Sequence, residues 1–80
     1  MKIYIVCDLE GTAGVVDHRS QCWFDGEFYK EARTQATREL NSLVEGILEA
    51  GATEIVAWDG HGNFPGGIDP QKVHQKCPVN

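Results

Sequence analysis

The sequence lacks an apolar run anywhere near the ~20 residues that a membrane helix needs, so no membrane partner is expected. It is also short of positive charge: 7 Lys and Arg stand against 12 Asp and Glu, for a net charge of −5. Basic runs and interleaved Arg and aromatic residues are both missing, which argues against nucleic acid as a partner. Cysteine is sparse. Cys7, Cys22 and Cys77 form no C-x-x-C pair, and an odd number of them does not suit a disulfide framework. A reduced, cytoplasmic setting is the expectation. The amino terminus carries one Lys and an apolar stretch too short for a signal peptide.

What remains is 80 residues with 41% hydrophobic content, one small domain at most. Residues 2–7, K-I-Y-I-V-C, are β-branched and aromatic and predict a strand buried on both faces. Residues 11–25 read as loop, punctuated by Gly11, Gly14, Asp17, Ser20 and Asp25. A long helix is predicted from Gly26 to Ala50, with Asp25 as N-cap and Gly51 at the left-handed C′ position. Ala36, Leu40, Leu43, Val44, Ile47 and Leu48 recur at three- and four-residue steps and form its apolar stripe. Arg33 projects onto that same stripe, within about 20° of Leu40. It either meets a carboxylate or a ligand there, or reaches solvent past a late helix start. Asn41, on the stripe's border, is read as bracing a loop.

A second strand is predicted at residues 53–58, T-E-I-V-A-W, ending in D-G-H-G. Asp69-Pro70 then reads as an N-cap with Pro at N1, opening a short helix to Gln75. C-P-V-N is read as the start of another strand.

Strand, long helix, strand is a βαβ unit with parallel strands. Asp8 and Glu10 follow one strand; Asp59 and His61 follow its neighbour. All four meet at the carboxyl rim of the sheet, where open α/β sheets build their sites. Two strands and one helix leave much of the sheet uncovered. The expected fold class is therefore α/β, with residues 1–80 forming the N-terminal part of a larger three-layer domain.

Asp8 and Glu10 lie at i and i+2, on one side of an extended chain. Two close carboxylates favour a cation between them, and the His61 imidazole together with Asp59 completes a mixed N/O set suited to zinc rather than to manganese or magnesium. The plain alternative is a pair of turn acids and a solvated histidine. G-T-A-G at residues 11–14 is not a phosphate-binding loop, since no G-K-[ST] follows. His18-x-x-x-Cys22 with His74-x-x-Cys77 is a weak zinc pattern. Trp23, Phe24, Phe28 and Phe64 read as core or lid packing, and Trp58 as packing under the rim.

Two families write similar letters at residues 5–12. I-V-C-D-L-E-G-T resembles the first motif of the haloacid-dehalogenase-like phosphatases, D-x-D-G-T, which implies Asp8 as a phosphoryl-accepting nucleophile, Glu10 as an acid/base and a magnesium ion. That likeness covers about eight residues. The second resemblance runs nearly the whole chain. M-K-I-Y-I-V-C-D-L-E-G-T-A-G-V-V, E-F-Y-K-E-A-R (27–33), T-R-E-L-N (37–41), E-G-I-L-E-A-G-A-T-E-I-V (45–56) and W-D-G-H-G (58–62) are similar to the dipeptide-transport D-aminopeptidase family. Trp58 stands where that family usually has Asn, and Cys7 where a small or polar residue is frequent.

This second resemblance implies a zinc metallopeptidase that releases N-terminal D-residues from short peptides and assembles as a homo-oligomer. It implies Asp8, Glu10 and His61 as ligands, with the carboxylates able to bridge two Zn2+ ions, and Asp59 in support; Arg33, from its place on the stripe, is the candidate for a rim acid or a substrate carboxylate. The family's remaining ligands and catalytic histidine lie beyond residue 80. The chain alone is therefore expected to be inactive, completed by a C-terminal part or by partners, and its catalytic residue is unassigned. A non-enzymatic metal-binding or assembly fragment is the third reading.

Overall fold

The computed structural model describes residues 1–62 and 65–80. Its elements are β1 (Lys2–Cys7), a 3-10 turn (Leu9–Gly11), α1 (His18–Cys22), α2 (Tyr29–Glu49) and β2 (Glu54–Asp59). β1 and β2 are parallel, in register from Lys2 opposite Glu54 to Cys7 opposite Asp59. The βαβ expectation holds, with the second strand one residue further along than predicted. C-P-V-N does begin to pair: Val79 bridges Ala57 in parallel, and Ala57 N–H donates to Pro78 O at 2.9 Å.

The long helix ends as its sequence predicts. Gly51 is left-handed at φ 101°, Gly51 N–H bonds Leu48 O and Ala52 N–H bonds Ile47 O, the paired bonds of a Schellman motif. Its start differs. The helix begins at Tyr29, with Phe28 at the N-cap and no side-chain cap. Asp25 instead takes two bonds from the Arg19 guanidinium, at 3.1 and 3.3 Å. Residues 26–28 fold against α1, where Phe28 N–H donates to Ser20 O at 2.8 Å. A Cβ at Gly26 would collide with that same carbonyl, so the approach needs glycine.

Tyr29, Ala32, Ala36, Leu40 and Val44 form the buried stripe of α2 and join Ile55 and Ala57 in the core, with Ile3 and Ile5 packed against them. Leu43, assigned to the stripe from its spacing, is exposed. The other face of the sheet is open, contrary to a strand buried on both sides. Tyr4, Val6 and Trp58 are 60%, 63% and 51% exposed, and Trp58 does not pack under the rim. Side chains alternate across a strand, and among the described residues nothing lies over that second face.

Two further expectations fail for local reasons. Residues 11–25 are not all loop: α1 forms there, fixed by Ser20 Oγ donating to Asp17 and by the Gln21 carbonyl oxygen accepting from Val16 and Asp17 N–H. No helix follows Asp69-Pro70. Asn41 takes the backbone groups a helix would use, donating to Lys72 O at 2.9 Å and accepting from His74 N–H at 2.7 Å. Asn41 does brace a loop, as its border position suggests.

Candidate metal centre

β1 delivers Asp8 to the rim, and the 3-10 turn that follows seats Leu9 in the core with no exposure. The chain is not extended through Glu10. Leu9 anchors the turn, and the acids on either side of it both face the end of β2. From there His61 enters, its side chain 3% exposed against 58% for Asp8 and 42% for Glu10. His61 Nδ1 lies 3.4 Å from Asp8 Oδ1 and 3.2 Å from Glu10 Oε1. One ligand atom from each of the three residues lies within 4.8 Å of the others.

The other imidazole nitrogen is committed. His61 Nε2 stands 2.7 Å from the carbonyl oxygen of Cys22, the last residue of α1. A carbonyl only accepts, so Nε2 carries a proton. In the neutral ring Nδ1 then bears a lone pair aimed at two carboxylates. That arrangement is tolerable only with a proton held among the three groups or with a cation between them. Burial pulls His61 down, but the Cys22 carbonyl, Asp8 and Glu10 together outweigh it and raise its pKa. Asp8 is held below its ordinary value by its hydrogen bond with Glu10 first and by His61 after it.

Asp59 does not join this cluster. Its carboxylate accepts the N–H of His61 at 3.2 Å, of Gly67 at 3.1 and 3.0 Å, and of Ile68 at 3.0 Å. It ties the loop after β2 to the strand end. Gly66, left-handed at φ 98°, makes that return turn. A Cβ on Gly67 would come within 3.2 Å of the His61 Cβ and 3.3 Å of the Leu9 Cβ. The two loops therefore close on each other through a backbone bare of side chain.

Arg33 does face inward, but meets no carboxylate: it donates to Pro65 O at 3.3 Å and Ile68 O at 2.9 Å. Its Nε is buried without a partner among the described residues. Tyr29 reaches the same loop, its hydroxyl donating to Gly66 O. Both residues hold the loop that carries His61.

The structure places His18, read from the sequence only as part of a weak zinc pattern with Cys22, beside Glu10 instead. His18 Nε2 lies 3.0 Å from the second oxygen of Glu10, Oε2. Glu10, His18, Trp23, Phe24, His61 and Gly62 line a cleft of about 440 Å³ at the rim. Trp23, Phe24 and Phe28 are exposed rather than core, and Phe64 lies outside the described residues. The His18/Cys22 with His74/Cys77 pattern does not come together. His74 pairs with Glu45 at 2.7 Å, and Asp8, Glu10 and His61 are the group found among the described residues. The three cysteines form no disulfide.

Residues 1–79 match the model of peptidase family M55, described as D-aminopeptidase. No match was found among curated proteins. A solved structure similar to this chain is that of the Zn-dependent D-aminopeptidase DppA from Bacillus subtilis, described as a self-compartmentalizing protease. The TM-score is 0.91 at 26% identity, over all of this chain and 28% of the DppA chain. The 80 residues thus span little more than a quarter of that relative's length.

Proposed function

The chain belongs to the M55 family of D-aminopeptidases, and from that premise we propose that Asp8, Glu10 and His61 hold zinc in a site that hydrolyses N-terminal D-residues from short peptides. The observation that carries this reading is the orientation of His61. Its Nε2–H is spent on the Cys22 carbonyl, leaving Nδ1 to face two carboxylates. A ligand histidine whose other nitrogen donates to a carbonyl is the usual arrangement at zinc. Two carboxylates and one imidazole make the mixed O/N set that zinc accepts, while magnesium favours oxygen and water. The zinc dependence stated for DppA supports the same choice.

When bound, zinc supplies a Lewis acid for the peptide carbonyl and lowers the pKa of a water. The chain's own groups bind and orient. Asp8 and Glu10 bring the negative charge, the Cys22 carbonyl fixes the His61 ring, and Asp59 and Arg33 hold the loop that carries it. A two-ion site asks for more donors than these three. We place those, and the general base, outside these 80 residues, in keeping with their coverage of 28% of DppA. The compartment described for DppA favours a homo-oligomer as the working form.

The test is zinc affinity by chelator competition, beside an Asp8→Ala/His61→Ala double variant, with hydrolysis of a short peptide bearing an N-terminal D-residue. Stoichiometric zinc, lost in the double variant, is expected of this chain, and hydrolysis, likewise lost in the double variant, only where the remaining donors and the general base are supplied. Zinc held equally by the double variant removes the site. Magnesium-dependent phosphate release without zinc binding would revive Asp8 as a phosphoryl acceptor, a reading that family membership does not support.

A further inference from the structure

The helix α1 is only five residues long, yet both of its ends touch the metal cluster. Its last carbonyl, Cys22 O, orients His61, and its first side chain, His18, meets Glu10. An exposed imidazole–carboxylate contact is worth little unless something holds it in place. Here a chain of contacts does. Trp23 Nε1–H points at His18 Nδ1 at 3.4 Å, the rings edge to face with centroids 6.4 Å apart. The Arg19 guanidinium lies over the Trp23 ring at 4.4 Å, and Asp25 holds Arg19 by two hydrogen bonds.

We propose that His18 is a positioning residue for Glu10, its tautomer set by the Trp23 indole; this rests on the metal reading given above. An indole N–H only donates, so His18 Nδ1 accepts and the ring proton sits on Nε2. Nε2–H then donates to Glu10 Oε2 at 3.0 Å, while Oε1 faces His61 Nδ1 at 3.2 Å. One carboxylate oxygen is thereby occupied by His18 and the other presented to the ion. Glu10 becomes a one-oxygen ligand of fixed orientation instead of a mobile carboxylate able to chelate or to turn away. The stretch 17–25, read from the sequence as loop, is the device that orients two ligands at once.

The experiment measures zinc affinity by chelator competition in the whole protein for His18→Leu, His18→Gln, Trp23→Phe and Glu10→Gln, and reads the His18 tautomer from imidazole 15N shifts of the zinc-free protein. His18→Leu is expected to weaken zinc by about 10- to 100-fold, the range typical when a ligand's hydrogen-bond partner is lost. His18→Gln, whose amide N–H can reach the same oxygen, recovers most of that loss, which a role in α1 stability alone would not predict. Trp23→Phe keeps the ring, loses the Nε2–H preference in the 15N spectrum and weakens zinc by less than His18→Leu. Wild-type zinc affinity in His18→Leu, or an Nδ1–H tautomer in the unsubstituted protein, overturns the proposal. If His18→Leu does not fold, the tautomer and Trp23→Phe decide. Unchanged zinc affinity in Glu10→Gln overturns the metal reading itself, whereas loss there with no effect at His18 overturns only the positioning role.

Discussion

Asp8 and Asp59 occupy almost the same place in the fold and do opposite things. Each stands at the carboxyl end of a parallel strand, and each is followed two residues later by a second chemical side chain, Glu10 or His61. Asp8 is exposed and turns its carboxylate to His61. Asp59 spends its carboxylate on the N–H groups of His61, Gly67 and Ile68. What separates them is the path of the chain beyond. After Asp8 a tight turn bends into the core at Leu9, leaving the acid at the surface. After Asp59 the loop comes back at Gly66 and aims successive amides at it. Residue type at a strand end thus leaves open whether an acid is a ligand or a strut, and the returning loop decides.

The comparison breaks most decisively at Asp59. Asp59→Ala strands the amides of Gly67 and Ile68, partly buried donors to a charged acceptor, and is expected to cost about 3 kcal/mol. Urea denaturation of the zinc-free protein reads this, and Asp59→Asn, which keeps one acceptor oxygen, should recover part of it. Zinc affinity falls as well, because His61 rides on that loop. Asp8→Asn should do the reverse. Zinc weakens more than about 100-fold, beyond the range for losing a ligand's supporting bond, while the urea midpoint stays near that of the parent. Equal stability losses at the two positions would erase the distinction.

A smaller effect sharpens the same contrast. Arg33→Met removes the donors to Pro65 O and Ile68 O but keeps the apolar stem, and should cost about 1–2 kcal/mol by urea denaturation. Its effect on zinc should follow Asp59→Ala in kind and fall below it in size. An Arg33→Met protein with full stability and weakened peptide binding would instead assign the guanidinium to substrate.

How much of this could be read from the letters depends on the range over which each feature is encoded. Periodicity places β1, β2 and the long helix, and Gly51 closes that helix because only a left-handed residue fits there. Topology then brings Asp8, Glu10, Asp59 and His61 to one rim. The start of α2 and the whole of α1 were not legible. Five residues are too few for a helical period to show, and Asp25 looks like a cap until Arg19 claims it. The pattern of Asp17 with Ser20 and Gln21 was the one available sign of α1. The partners of Arg33 and of His61 Nε2 are backbone carbonyls, which every residue has and no sequence motif marks. Trp58 and Phe24 read as buried because they are large and aromatic, yet among the described residues nothing covers them.

The smallest effect is set by pH and separates His61 from Asp8. His61 has a raised pKa when folded, against an ordinary value of 6.5. Its contribution to stability is therefore full below the unfolded value and is lost as pH rises through the folded one. Asp8 is lowered from 3.8, so its contribution is present above that value and is lost as pH falls through the lowered one. The zinc-free protein should accordingly be most stable on the mildly acidic side of neutrality and weaken above it. Zinc binding runs the other way over the same interval, because the ion must displace the proton from Nδ1. Urea midpoints of chelator-treated protein from about pH 4 to about 9 test the first statement, and chelator competition across that interval tests the second. His61→Gln should flatten the alkaline loss while leaving the acid limb, which belongs to Asp8. A parent protein whose midpoint does not fall above neutrality would mean that Nδ1 carries no proton between Asp8 and Glu10.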